Sequence, residues 1–104
     1  MRDALRCKKA SSVVICSDAE LRQQTAARQK FFDHLRGTLS PDVYRTLMQE
    51  QTQWVKSYTA NCGVAIDDAV PVLPIPQTVI DCYRRASRAR TTNLASRFGH
   101  CILG

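Results

Sequence analysis

The feature that most constrains the fold is a stripe of mostly apolar side chains in segment 44–62. Its members recur at spacings of three and four residues for about five turns, so they line one side of an α-helix. Just before it, Ser40 suits the N-cap and Pro41 suits the first helical position. We therefore predict a helix, called helix B, over about 41–61. The stripe consists of Tyr44, Leu47, Met48, Gln51, Trp54, Val55, Tyr58 and Cys62.

Two further helices are indicated on either side of helix B. Ser17 followed by Glu20 is typical of a capping box, with the Ser17 hydroxyl at the N-cap. The chain then runs without glycine or proline up to Gly37, which predicts helix A over about 18–37. The short link between helices A and B favours an antiparallel hairpin. Helix C is predicted over about 77–95, with one side formed by Val79, Cys82, Tyr83, Ala86, Arg90 and Leu94.

The rest of the chain lacks helical periodicity. The first 16 residues show no clean repeat, although Val13-Val14-Ile15 must be buried somewhere. Between helices B and C, three prolines favour an extended loop that lies against the helices: Pro71, Pro74 and Pro76. The sequence thus predicts one all-α domain over 1–104, a three-helix bundle with a core over about 7–95 and a tail over 96–104. No apolar run reaches the roughly 20 residues of a membrane span, and none near Met1 is typical of a signal peptide.

Positive charge is concentrated at the end of the chain. The net charge is +6, and Asp81 is the last acidic residue, so we expect nothing to neutralise the five arginines that follow it. Two interpretations stay open: a solvated helix face, or a surface that attracts an anionic partner such as nucleic acid or lipid. The candidate residues of this basic surface are Arg84, Arg85 and Arg88. Trp54, in the middle of the helix B stripe, is predicted to be mostly buried against helices A and C.

Five cysteines are many for 104 residues, and four of them flank predicted helices: Cys7, Cys16, Cys62 and Cys82. In an oxidising compartment such residues form disulfides, whereas in a reducing one they remain buried thiols. Four cysteines allow three connectivities, and their spacing alone does not choose among them.

Motifs of enzymatic chemistry are missing from the sequence. The two histidines, His34 and His100, belong to no Cys-x-x-Cys or His-x-x-x-His arrangement that would bind a metal. Four scattered glycines form no glycine-rich phosphate loop. We therefore expect a protein that is not an enzyme, with no catalytic residue, no cofactor and no metal site.

Three stretches carry a family resemblance: ICSDAEL, QTQWVKSYTANC and CYRRASRARTTNL. Together with the Cys7-Lys8-Lys9-Ala10 segment, their order and spacing resemble the LprI-like lysozyme-inhibitor family of small secreted or periplasmic bacterial proteins. The core positions that match are Ile15, Leu21, Gln51, Trp54, Arg90 and Leu94. Thr25, Tyr58 and Ser87 stand where the family has an acid, an arginine and a tyrosine. These departures imply that a polar pair is replaced by aromatic packing at Tyr58.

The resemblance implies disulfides Cys7–Cys16 and Cys62–Cys82, with Cys101 unpaired. These pairs are compatible with the local geometry, since Cys62 ends one predicted helix and Cys82 opens the next. It also implies a non-enzymatic periplasmic or secreted protein that binds a lysozyme or another envelope protein. Lysozymes are generally basic, so a net charge of +6 disfavours their encounter with this chain, although Asp67-Asp68 provides a local acidic patch. The alternative is a basic interaction module whose helix C binds nucleic acid or anionic lipid.

Overall fold

The computed structural model describes residues 10–64 and 74–99, and within these ranges the chain is all-helical. The elements are α1 (Ala10–Cys16), α2 (Ala19–Thr38), α3 (Pro41–Asn61) and α4 (Gln77–Phe98). The predicted all-α class is confirmed, and helices A, B and C correspond to α2, α3 and α4. Helix α1 was not among the three helices predicted. Most of the predicted proline loop, residues 65–73, lies outside the described residues.

The junction between α1 and α2 explains a wrong prediction about Ser17. Its hydroxyl donates to the carbonyl of Val14 at 2.7 Å and so closes the end of α1. Asp18 takes the N-cap of α2 instead, and its carboxylate accepts the backbone N–H of Leu21 at 3.0 Å. The N-cap of α2 thus lies one residue later than the sequence pattern indicated, because the preceding helix, α1, ends at this point and uses the Ser17 hydroxyl.

The end of α3 is defined by Gly63, whose φ of 80° is a left-handed conformation that favours glycine. The N–H of Val64 donates to the carbonyl of Thr59 at 3.0 Å, and the N–H of Gly63 donates to that of Ala60 at 3.0 Å. This pair of bonds is a Schellman motif, which satisfies the last carbonyls of the helix. The helix therefore stops at a defined place, immediately after Cys62.

Two buried clusters hold the helices together. One contains Phe32, Leu35, Leu47 and Leu94, and the other contains Val14, Leu21 and Tyr83. The second cluster joins the start of α2 to Tyr58 near the end of α3, so these two helices run antiparallel as predicted. Helix α4 begins at the second cluster and ends at the first, so it runs parallel to α2.

A disulfide links Cys62 to Cys82, with their Cα atoms 5.7 Å apart. It joins the end of α3 to the first turns of α4, as the family resemblance implied. Cys16 is also disulfide-bonded, whereas Cys7 and Cys101, which complete the predicted pattern, lie outside the described residues. In the ranges that the structure describes, no helix combines the length and apolar character needed to cross a membrane.

Candidate functional site

Acidic residues at the start of α2 bind arginines of α4. Asp18 accepts hydrogen bonds from two nitrogens of Arg84, one of them from Nε at 3.1 Å. Glu20 accepts from Nε and Nη2 of Arg88 at 2.6 and 2.7 Å, a bidentate arrangement. The hydrogen bonds from Arg84 and Arg88 are the main reason that the pKa values of Asp18 and Glu20 lie below their ordinary values.

These pairs change the interpretation of the predicted basic surface. Arg84 and Arg88 are neutralised by acids of the first half of the chain, whereas Arg85 is exposed and contacts no acid among the described residues. The expectation that nothing neutralises the arginines after Asp81 was therefore wrong. The parallel packing of α2 on α4 brings the acids of one helix beside the arginines of the other.

Glu50 of α3 binds two further arginines of α4. Arg97 donates from Nη1 and Nη2 at 2.5 and 3.0 Å, and Arg90 donates from Nη1 at 2.8 Å. Arg90 is buried, and its Nε also donates to Oε1 of Gln51 at 2.9 Å. The hydrogen bonds from Arg97 and then Arg90 lower the pKa of Glu50 from 4.5 to about 2. Glu50 thus anchors α4 to α3 as an ionised carboxylate.

The Glu50 site predicts a loss of stability in acid. Since the folded pKa of about 2 lies below the unfolded value of 4.5, the stabilisation is complete above pH 4.5 and disappears as the pH falls through 2. The melting temperature of the wild type should therefore fall over this pH window, and the melting temperature of Glu50→Gln should fall less steeply. Circular dichroism melts from pH 6 to pH 2 measure both slopes.

The matched control is Asp42→Asn, because Asp42 pairs with Arg45 on the surface with 88% of its side chain exposed. Its melting curve should follow that of the wild type at every pH. Part of the acid dependence should persist in Glu50→Gln, since Asp18 and Glu20 also have lowered pKa values. Parallel slopes for the wild type and Glu50→Gln would contradict this assignment.

Trp54 lies between arginines of the two neighbouring helices. The guanidinium carbon of Arg28 is 5.0 Å from the centre of its ring, and that of Arg90 is 5.6 Å away. Both distances are within the range of cation–π attraction. The Tyr58 ring lies 4.4 Å from the Trp54 ring and 4.9 Å from that of Tyr83. Trp54 is mostly buried, as predicted, and its contacts on α2 and α4 include the guanidinium groups of Arg28 and Arg90.

A chain of polar contacts connects this cluster to the ion pairs at the start of α2. Nη1 of Arg28 donates to the hydroxyl of the buried Ser87 at 2.8 Å, and that hydroxyl donates to Oε1 of Gln24 at 2.6 Å. Gln24 in turn donates to Oε2 of Glu20 at 2.7 Å. Arg28 is thus oriented by neutral groups, without a carboxylate of its own among the described residues.

A cleft of about 230 Å³ lies between α2 and α4 beside this chain of contacts. Its surface is predominantly apolar, because aromatic, leucine and alanine side chains form most of its walls. Arg28 supplies the charged group at the cleft. The residues that line it are Gln24, Ala27, Arg28, Phe31, Thr91, Leu94 and Ala95.

The six core positions of the family resemblance separate into two groups. Ile15 and Leu21 pack in the second buried cluster, and Leu94 packs in the first. The other three lie together at the α3–α4 contact, where Arg90 contacts both Gln51 and Trp54. The structure therefore gives three of these positions a packing role and joins the other three in one polar cluster.

Sequence reasoning missed Arg28, Gln24 and Ser87 as members of the site. A signal for Arg28 was present, because it lies seven residues after Leu21 and four before Phe32. That spacing places it on the buried side of α2, where an arginine is unusual. Gln24 and Ser87 also follow the helical period, three residues after Leu21 and four after Tyr83 respectively. As uncharged residues they gave a weaker signal than an arginine on a buried helix side.

The groups that this site presents suit reversible binding: guanidinium N–H donors, an indole face and apolar walls. Within residues 10–64 and 74–99, no group of three His, Cys, Asp or Glu side chains is placed to hold a metal ion. His34 lies on the exposed side of α2, and His100 lies outside the described residues. Comparison of the chain with family models, with curated proteins and with solved structures gives no match.

Proposed function

We propose that this chain is a non-enzymatic binding protein of the bacterial periplasm or the extracellular space, with a lysozyme as its target. The observation that supports this location is the Cys62–Cys82 disulfide, because structural disulfides persist mainly where thiols are oxidised. The resemblance to LprI-like proteins supplies the target class. In this proposal the three long helices form a stapled bundle, and the proline-rich segment between α3 and α4 belongs to its binding surface.

The charges of the described residues bear on how such a target would be bound. Each acidic residue in these ranges contacts an arginine within 4 Å, the pairs being Asp18–Arg84, Glu20–Arg88, Asp33–Arg36, Asp42–Arg45, Glu50–Arg97 and Asp81–Arg84. A basic lysozyme would therefore meet few uncompensated carboxylates. Asp67-Asp68, between α3 and α4, is the acidic patch that the proposal assigns to the contact.

The proposal predicts inhibition of a lysozyme that strengthens as salt is added. Two basic proteins repel each other during encounter, and salt screens that repulsion over distances beyond about 10 Å at 0.1 M. We expect the inhibitor concentration for half-inhibition to decrease several-fold between 20 and 150 mM NaCl. Clearing of a cell-wall suspension measures this, with lysozyme alone at each salt concentration as the reference.

Variants identify the surface used. Asp67→Asn combined with Asp68→Asn should abolish inhibition, whereas Asp42→Asn should leave it unchanged. No inhibition by the wild-type protein at any salt concentration would refute the lysozyme target. Inhibition that both variants retain would instead place the contact elsewhere on the molecule.

The anionic-surface alternative receives less support from the arrangement of charges. Of its three candidate residues, only Arg85 is without an acid among the described residues, because Arg84 and Arg88 are ion-paired. Salt-dependent retention on a heparin matrix that is lost in Arg85→Glu would favour this alternative. Charge reversal at Arg84 or Arg88 is a poorer test, since it would place a carboxylate beside Asp18 or Glu20 and destabilise the fold.

A further inference from the structure

The cleft between α2 and α4 combines an apolar interior with one cation, Arg28, that has no counter-ion among the described residues. Phe31, Leu94 and the small side chains of Ala27 and Ala95 provide the apolar walls. Its volume of about 230 Å³ exceeds the roughly 150 Å³ of an engineered protein cavity that holds benzene. The cleft therefore has room for a hydrocarbon chain of about eight carbons.

Arg28 is the polar group that defines which ligand this cleft suits. One of its terminal nitrogens donates to Ser87 and the guanidinium lies over Trp54, which together fix its orientation. The remaining N–H groups of its fork have no acceptor among the described residues. Burial is the main cause that lowers the pKa of Arg28, so a negative charge nearby would be favourable.

We propose that this cleft binds a medium-chain fatty acid, with the carboxylate on Arg28 and the alkyl chain between α2 and α4. A carboxylate matches the N–H fork of a guanidinium in charge and in geometry. An alkyl chain matches the walls, where Ala27 and Ala95 leave space between the two helices. The inference is independent of the lysozyme target, because it uses none of the residues that the proposed function assigns to that contact.

Trp54 allows a direct test on the whole protein, since it is the only tryptophan and lies beside Arg28. Titration with sodium octanoate should change its fluorescence and saturate. The dissociation constant for octan-1-ol should be at least 10-fold higher, because the alcohol lacks the charge. Acetate, which lacks the chain, should give no saturable change at the same concentrations.

Three variants separate the contribution of the Arg28 charge from that of the apolar cleft. Arg28→Gln should bring octanoate and octanol to equal affinity, and Ala27→Leu should weaken both at least 10-fold by filling the cleft. Arg85→Gln is the matched control, an exposed arginine of α4 away from the cleft lining, and should bind like the wild type. Circular dichroism melts verify that each variant is folded; if Arg28→Gln unfolds, Ala27→Leu still decides the location.

Several results would overturn the proposal. Equal affinity of the wild type for octanoate and octanol would remove the role of the guanidinium. Octanoate binding that Ala27→Leu leaves unchanged, or that Arg85→Gln weakens, would place the ligand elsewhere. Tighter binding of N-acetylleucine than of octanoate by at least 10-fold would identify the carboxyl terminus of a peptide as the occupant instead.

Discussion

Trp54→Ala is expected to lower the free energy of unfolding by about 3 kcal/mol, the lower end of the range for large aromatic side chains in protein cores. We expect the lower value because the indole is mostly but not fully buried. Its removal takes away the ring contact with Tyr58 and the surface over which Arg28 and Arg90 lie. Two neighbouring cations would then lose a shared partner, while the apolar contact is also lost.

Urea unfolding followed by circular dichroism measures this effect, since the variant has no tryptophan fluorescence. Trp54→Phe should lose only about 1 kcal/mol, because a smaller ring keeps part of the cation–π and aromatic contacts. Val43→Ala is the matched control on the same helix, as Val43 is 47% exposed and should change stability by less than about 0.5 kcal/mol. A loss in Trp54→Ala no larger than that control would show that the cluster contributes little to stability.

The long helices were predictable because local signals and the apolar period agree along them. Helix α3 has the predicted bounds, since Ser40 accepts the N–H of Val43 at its start and Gly63 ends it. Helix α1 was not predictable in this way. It spans only seven residues, fewer than two clear periods, and it contains the β-branched run Val13-Val14-Ile15, which has no helical alternation.

The candidate site was only partly predictable, because its contacts join residues far apart in the chain. Arg88 and Glu20 are separated by 68 positions, and nothing local to either residue indicates the other. A count of charges along the chain therefore gave α4 an uncompensated basic face, whereas packing supplies it with acids from α2 and α3. Arg90 was placed correctly on the buried side of its helix, since its spacing from Tyr83 and Leu94 follows the helical period.

The replacement expected at Tyr58 illustrates a prediction that rests on the family resemblance. The resemblance implies that Tyr58 replaces an arginine with aromatic packing, and in the structure its ring packs between the rings of Trp54 and Tyr83. Arg28, one turn of α2 away from the position of Thr25, provides a positive charge at the same cluster. The guanidinium groups near Trp54 come from α2 and α4, so the pattern of α3 alone does not indicate them.

Replacing Cys62 and Cys82 together by serine is expected to lower the free energy of unfolding by about 3 kcal/mol. The bond closes a loop with a sequence separation of 20 residues, and in the chain-entropy model such a constraint destabilises the unfolded state by about that amount. Because both sulfurs lie where α3 ends and α4 begins, their loss also frees the two ends of the proline-rich segment. The double variant avoids a reductant, which would also break the disulfide of Cys16.

Urea unfolding of the double variant and the wild type, both under non-reducing conditions, measures the difference. Dithiothreitol should then destabilise the variant further through Cys16 and should destabilise the wild type by the sum of both effects. A loss below about 1 kcal/mol in the double variant would mean that the Schellman end of α3 and the core contacts of Tyr83 already hold this junction. The disulfide would then give little reason for an oxidising compartment, and the periplasmic or secreted location would lose the observation that supports it.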